Sequence, residues 1–158
     1  MVSIGPYNIE LVPGTSFGKS LSQLAGRNPS FRTKWVNIRN RELSRAGNKC
    51  ELCGIGQRLE CNERWSYDDG AFVQKLAGYE IVCHDCHSIL HIGRTFAIGQ
   101  LDKATAHFTH VTGLKDEDLM KATAAAYAQW HERSKHNWRV DISSEPLAAG
   151  YSEALNGL

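Results

Sequence analysis

Two pairs of closely spaced cysteines are the residues of this chain best suited to chemistry. Cys50 and Cys53 form one Cys-x-x-Cys pair, and Cys83 and Cys86 form a second. Two thiolates three residues apart bind one metal ion from a tight turn, and two such pairs are the usual ligands of a tetrahedral zinc. The four cysteines therefore predict a structural Zn²⁺ site. A redox Cys-x-x-Cys motif is the alternative.

The second cysteine pair runs directly into two histidines. His87 and His91 are four residues apart, which places both imidazoles on one face of a helix, one turn apart. A purely structural zinc site does not need these histidines, so they predict a second metal site and, with it, chemistry. The alternative is a helix face whose histidines only cap or pack.

The composition is that of an ordinary globular domain. The chain has 158 residues, of which 42% are apolar and 22% are charged. No apolar run approaches the roughly 18 residues of a membrane-spanning helix, and the N-terminus lacks the pattern of a secretory signal. Five cysteines, four of them at metal spacing, argue against a disulfide framework. We therefore expect one domain with no membrane partner and a cytoplasmic location.

The basic residues are unevenly distributed, although the net charge is only +1. Seven lysines and arginines lie between residues 27 and 49, opposed only by Glu42. Because local patches set the field that a polyanion meets, this run predicts a nucleic-acid surface; a solvated helix face is the alternative. The candidate phosphate contacts are Lys34, Arg39, Arg41, Arg45 and, just past the histidines, Arg94.

Apolar periodicity and turn signals predict the elements that position these residues. In order, they are a loop-rich arm (1–29), a helix (about 31–46, N-capped by Ser30), strands near 59–65 and 78–82 around a turn at 68–70, a helix from about Asp85 to Gly93, helices over about 96–111 and 116–135, and a flexible tail (143–158). The main domain thus covers residues 30–142. The predicted class is α+β: a zinc-stapled ββα-metal (treble-clef) core with an N-terminal helix and two C-terminal helices.

Three segments carry a resemblance to a known family: residues 50–54 (Cys-Glu-Leu-Cys-Gly), residues 59–63 (Leu-Glu-Cys-Asn-Glu) and residues 83–91 (Cys-His-Asp-Cys-His-Ser-Ile-Leu-His). They resemble the HNH endonucleases, specifically the small bacterial and phage members with two Cys-x-x-Cys pairs. The resemblance implies metal-dependent hydrolysis of DNA phosphodiester bonds, with RNA not excluded. In that family a metal binds the scissile phosphate, and a strand histidine takes a proton from the attacking water.

The resemblance also implies roles for individual residues. His87 and His91 correspond to helix-borne metal ligands, and Cys61 occupies the position of the strand ligand. A thiolate with two imidazoles favours Zn²⁺ or a similar metal such as Mn²⁺ or Ni²⁺ over Mg²⁺. Alternatively, Cys61 is a small buried apolar residue. Glu63 and Asp85 are candidates for orienting the ligands.

Two positions depart from the family pattern. The general-base histidine is expected at position 62, where this chain has Asn62, and an amide cannot accept a proton near neutral pH. The family's middle asparagine aligns near Gly78 and is also missing. We therefore expect an inactive or weakened endonuclease. The alternative is a non-cleaving, zinc-dependent module for binding nucleic acid or protein on the same scaffold.

Overall fold

The computed structural model describes residues 3–157, which contain seven α-helices, two short 3₁₀ helices and one three-stranded sheet. The helices are α1 (Leu21–Arg27), α2 (Pro29–Arg45), α3 (His84–Leu90), α4 (Ile92–Ala97), α5 (Leu101–Thr112), α6 (Asp116–Arg133) and α7 (Tyr151–Asn156). The strands are β1 (Leu59–Asp68), β2 (Val73–Cys83) and β3 (Arg139–Asp141). The predicted α+β class is confirmed.

The centre of the fold is the β1–β2 hairpin. Its turn is closed by the Asp68 carboxylate, which accepts hydrogen bonds from the backbone N–H groups of Gly70 and Ala71 at 3.0 and 2.9 Å. The strands are antiparallel, and the register pairs Cys61 with Ile81. β3 adds in parallel to the start of β2. Because successive side chains on a strand point to opposite faces, the hairpin has two distinct surfaces.

Different helices cover these two surfaces. On one, Cys61 and Ile81 pack with Ile38 of α2 in one apolar cluster. On the other, Val82 packs with Phe108 of α5 in a second cluster that also contains the metal-spaced cysteines. Helices α2 and α3 therefore lie against opposite faces of the hairpin.

Helix α2 begins two residues before the predicted start. The Asn28 side chain accepts hydrogen bonds from the N–H groups of Ser30 and Phe31, both at 3.1 Å, so Asn28 rather than Ser30 is the N-cap. Pro29 fits the first helical position because its missing N–H has no partner there. Past the C-terminus, Gly47 has a φ of 67°, as a helix stop requires.

The N-terminal arm contains more structure than the sequence prediction gave it. Ser20 and Gln23 form a capping box that starts α1, a local signal which the loop prediction missed. Earlier in the arm, Ile4, Tyr7 and Ile9 are buried in the cluster that contains the cysteines. The arm is thus packed onto the domain.

The predicted flexible tail is instead packed onto the domain. Ala148 and Tyr151 are buried against the α2 side of the hairpin. The buried Glu145 carboxylate accepts hydrogen bonds from Arg41 at 2.7 Å and from the Tyr79 hydroxyl at 2.9 Å. These partners lie 104 and 66 residues away, so no local pattern announces the contact.

Of the two predicted C-terminal helices, α6 matches the prediction closely. The helix predicted from about residue 96 begins instead at Leu101, because residues 92–97 belong to α4 and Gly99, at φ 73°, separates α4 from α5. The predicted helix over residues 85–93 is divided, because α3 ends at Leu90 and His91 leaves the helical conformation at φ −105° and ψ 49°. Within residues 3–157, no helix combines the length and apolarity that crossing a membrane requires.

Candidate functional site

The two cysteine pairs converge on one point. One donor atom from each of Cys50, Cys53, Cys83 and Cys86 lies within 4.8 Å of the others, and the Sγ atoms of Cys53 and Cys83 are 3.6 Å apart. Zinc–sulfur bonds of about 2.3 Å in a tetrahedron place the sulfurs about 3.8 Å apart. The four residues therefore fit a structural metal such as zinc, as predicted from their spacing.

Local backbone geometry supports this cluster. The backbone N–H groups of Cys53 and Cys86 donate hydrogen bonds to the Sγ atoms of Cys50 and Cys83, each at 3.4 Å. Cys83 is also the N-cap of α3. Burial raises the pKa of the Cys83 thiol to about 11, so a cation is needed to hold four converging thiolates at neutral pH.

Two further side chains support Cys86 from distant parts of the chain. The Tyr7 hydroxyl forms a hydrogen bond with Cys86 Sγ at 3.2 Å, and His107 Nε2 lies 3.2 Å from the same sulfur. Tyr7 comes from the arm and His107 from α5. Sequence reasoning missed both because neither has a local spacing relation to the cysteines.

The two histidines meet over β1. Their ring centroids are 4.5 Å apart, and the Oδ1 atom of Asn62 lies 3.3 Å from His87 Nε2 and 3.1 Å from His91 Nε2. On the other side of the first ring, Glu60 Oε2 lies 2.7 Å from His87 Nδ1. The other Glu60 oxygen lies 3.0 Å from His84 Nδ1. We call His87, His91, Asn62 and Glu60 the histidine site.

The hydrogen-bond geometry of the histidine site allows a cation between its members. When His87 donates its Nδ1–H to Glu60, its neutral ring presents a lone pair at Nε2, and that lone pair faces the amide oxygen of Asn62. Two acceptor atoms this close repel each other unless a proton or a metal ion lies between them. Hydrogen bonds from His87 and His84 hold the pKa of Glu60 down to about 2, so this carboxylate stays charged.

Cys61 does not join the histidines, contrary to the prediction. Its side chain is on the opposite face of β1, buried with Ile38 and Ile81, and burial raises its pKa to about 12. The residue that faces the histidines is its neighbour Asn62. The structure places Asn62 beside the two rings, with its amide oxygen facing both Nε2 atoms.

Of the two residues expected to orient ligands, Glu63 lies elsewhere, whereas Asp85 lines the same pocket as His87 and His91. Glu63 accepts hydrogen bonds from the N–H of Leu21 at 2.6 Å and from the hydroxyl of Ser22 at 2.7 Å, at the start of α1. Asp85 lies 3.6 Å from Lys103 Nζ. The orienting position beside His87 belongs to Glu60, which the alternation of strand residues around Asn62 could have identified.

The predicted basic surface on α2 is largely engaged within the chain. Arg41 pairs with Glu42 and Glu145, and Arg45 pairs with Glu42 and Glu51, at 2.7 to 2.9 Å. The remaining two candidates donate hydrogen bonds to backbone carbonyls, Lys34 to that of Ala149 and Arg39 to that of Leu59. Since α2 also packs on the face opposite α3, these four residues do not form one surface with the histidines.

Arg94 differs from the α2 residues because it lies at the histidine site. It is exposed and lines a pocket of about 170 Å³ together with Glu60, His87, His91 and Lys103. The lining also includes His84 and Asp85, and Asp85 lies 3.6 Å from Lys103 Nζ, so Arg94 is the cation best placed to contact an anionic ligand such as a phosphate.

Gly78, where the family's asparagine aligns, lies at an irregularity of the hairpin. It pairs with Arg64 immediately before a register shift in β1. A Cβ atom at this position would lie 3.0 Å from Arg64 Nη2.

No family model, curated protein or solved structure matches this chain. Within residues 3–157, the four cysteines are the one group of three or more His, Cys, Asp or Glu side chains whose donor atoms converge closely enough for a metal.

Proposed function

We propose that this chain is a metal-dependent protein of the HNH endonuclease type that acts on DNA phosphodiester bonds. In this proposal the four cysteines bind Zn²⁺ and close a ββα-metal core of β1, β2 and α3. The histidine site beside that core binds a second divalent metal and the scissile phosphate.

The observation that carries the proposal is the convergence of both Nε2 atoms on Asn62 Oδ1. Two imidazole nitrogens and one amide oxygen suit Zn²⁺, Ni²⁺ or Mn²⁺. Glu60 would fix the orientation of His87, as carboxylates commonly do for metal-binding histidines. Arg94 would contact a phosphate oxygen. When bound, a divalent metal at such a site polarises the phosphate and stabilises the leaving oxygen.

In this geometry, neither Asn62 nor Glu63 of β1 can act as the general base. Asn62 cannot accept the proton near neutral pH, and Glu63 is held at the start of α1. Loss of a general base commonly lowers the rate by about 10²- to 10⁴-fold. We therefore expect slow, metal-dependent cleavage.

A second candidate function is supported by the position of Glu63. Because this carboxylate stabilises α1 rather than the histidine site, the scaffold is also suited to binding nucleic acid without cleaving it. The two functions share the metal and phosphate sites and differ only in turnover.

The test is a metal titration combined with a plasmid-cleavage assay of the zinc-loaded chain. We expect one additional Mn²⁺, Ni²⁺ or Zn²⁺ per chain and slow nicking, both lost in the His87→Ala/His91→Ala double variant. Metal-dependent DNA binding without nicking would support the second candidate. If the chain binds neither a second metal nor DNA, both functions are excluded.

A further inference from the structure

The edge of β2 that faces away from β1 is covered only at its two ends. At one end, β3 pairs with Val73–Lys75, and the Ser144 hydroxyl donates a hydrogen bond to the carbonyl of the next residue at 2.8 Å. At the other end, the Glu51 N–H donates to the Ile81 carbonyl at 2.8 Å, and the Glu51 carboxylate accepts the Ile81 N–H at 2.7 Å. We call the stretch between these ends, residues 77–80, the edge gap.

The backbone groups of Tyr79 point into the edge gap. Because both backbone groups of Ile81 bond to Glu51, Ile81 belongs to a non-hydrogen-bonded pair of the hairpin. The two kinds of pair alternate along an antiparallel ladder, and the register is regular from Ile81 to Tyr79, so Tyr79 also directs its N–H and C=O away from β1. Its carbonyl accepts a long hydrogen bond from Arg45 Nη2 at 3.4 Å. The gap therefore offers a donor and an acceptor to an added extended chain.

An open cavity of about 540 Å³ lies along the edge gap, and all four residues of the gap line it. Four strand residues span roughly 13 Å, which is the length of a short extended peptide. The cavity volume lies within the usual range of ligand pockets. None of its described lining residues belongs to the pocket at the histidine site, so the two are separate places on the molecule.

Arg64 reaches this cavity from β1. Its cross-strand partner is Gly78, and a Cβ atom there would lie 3.0 Å from Arg64 Nη2, so the guanidinium lies across β2 where Gly78 has no side chain. Arg64 is exposed, and within residues 3–157 its side chain forms no ion pair or hydrogen bond. The other two arginines of the cavity, Arg41 and Arg45, each bind two carboxylates. Arg64 is therefore the cation of the cavity that is available to a ligand.

The charges of the cavity favour a ligand with a single carboxylate. Its three arginines are outnumbered by four glutamates, which are Glu42, Glu51, Glu80 and Glu145. A phosphate or a run of acidic residues would meet repulsion from these glutamates. One carboxylate can instead bind the planar guanidinium of Arg64 through two parallel hydrogen bonds.

We infer that the edge gap binds the C-terminal end of an extended peptide from a partner protein, which adds to β2 as a short strand. The peptide backbone pairs with Tyr79, and the terminal carboxylate pairs with Arg64. Peptides that add to a sheet edge gain affinity from such main-chain hydrogen bonds. A chain end fits here because Ser144 and Glu51 close the gap at both ends, which leaves no room for a strand that continues in line in both directions. This inference goes beyond the proposed function and does not depend on it.

The inference is tested by titrating the full zinc-loaded chain, labelled with ¹⁵N, with a randomised library of tetrapeptides that carry free C-terminal carboxylates. We expect the amide resonance of Tyr79 to shift on binding. The same library with C-terminal amides should bind about tenfold more weakly, because it lacks the charge that pairs with Arg64. A library N-methylated at every peptide bond cannot donate to the Tyr79 carbonyl and should not bind.

Variants of Arg64 locate the carboxylate. Arg64→Gln should weaken binding of the carboxylate library about tenfold and remove its advantage over the amide library. Arg64→Lys keeps the charge and should retain part of that advantage. Arg139→Gln removes an exposed arginine that does not line the cavity and should bind like the wild type.

Several results would overturn the inference. These are no binding of the carboxylate library, equal binding of the carboxylate and amide libraries, or an unchanged affinity in Arg64→Gln. If acetate alone shifts the Tyr79 resonance as much as the library does, the cavity binds small anions and the peptide is excluded. A thermal melt of Arg64→Gln detects misfolding, in which case the charge-retaining Arg64→Lys variant decides the result. None of these outcomes bears on metal or DNA binding at the histidine site, so the proposed function stands or fails separately.

Discussion

The cysteine cluster and the histidine site are neighbours on α3 but are built in different ways. The cysteine cluster has four donors of one kind, three of them buried, with Tyr7 and His107 adding support to Cys86. The histidine site has two imidazoles and one amide, and its second ring, His91, is exposed. Structural zinc sites are closed by four protein ligands, whereas catalytic sites keep a position open for water or substrate. Under the proposed function, the first site therefore provides stability and the second site exchanges ligands.

The largest expected effect is loss of the fold when the cysteine cluster is broken. Cys83→Ala should abolish the cooperative thermal transition, because structural zinc contributes about 10–16 kcal/mol in zinc-finger peptides, as much as the whole stability of a typical domain. Circular dichroism and metal analysis measure this. Cys61→Ala is the matched control, since it should keep the zinc and lose only about 1 kcal/mol. Equal zinc loss in both variants would contradict the assignment of ligands.

The next largest effect is on the affinity for the second metal, when Asn62, beside the rings of His87 and His91, is changed. Asn62→His should tighten binding of the second divalent metal at least tenfold, because position 62 faces both histidines and a third imidazole would replace a weaker amide donor. Calorimetric titration of the zinc-loaded chain with Ni²⁺ measures it, with Asn62→Ala as the opposite control. If Asn62→His instead raises cleavage about 10²- to 10⁴-fold at unchanged metal affinity, position 62 is the general base after all.

A smaller effect should follow from removing the charge that orients His87. Glu60→Gln should lower the affinity for the second metal about 10- to 100-fold, without changing the zinc content. This is the usual effect of removing a residue that hydrogen-bonds to a metal ligand. Glu63→Gln changes the same group on the opposite face of β1 and should leave metal affinity unaltered. The two titrations together show which face of the strand serves the metal.

The smallest expected effect is on the stability of the cysteine cluster. Tyr7 supports Cys86 there by a hydrogen bond, as Glu60 supports His87 in the histidine site. Tyr7→Phe removes one hydrogen bond to Cys86 and should lower the free energy of unfolding by about 0.5–1.5 kcal/mol, with faster transfer of zinc to a chelator. Chemical denaturation and a chelator assay measure these changes. Complete loss of zinc in this variant would show that the cysteine cluster, like the histidine site, depends on its outer partners.

Local signals predicted the parts of the fold that depend on neighbouring residues. The two Cys-x-x-Cys pairs, the hairpin turn at Asp68 and the long helices α2, α5 and α6 were all foreseen, because knuckles, turns and helical periodicity involve residues only a few positions apart. The packed tail was not foreseen. Its anchor, Glu145, binds Arg41 and Tyr79 across most of the chain.

The sequence by itself determined that four cysteines can share one metal and that His87 and His91 lie on one side of the chain. Only the tertiary structure decided which strand residue meets them. Alternation along β1 allows either Cys61 or Asn62 to face α3, and apolar packing settled the choice by burying Cys61 against α2. The same packing turned Glu60 towards the histidines and placed α2, with its ion-paired arginines, on the other face. These choices depend on contacts between distant segments, because burying apolar side chains selects the face of a strand that the sequence pattern leaves open.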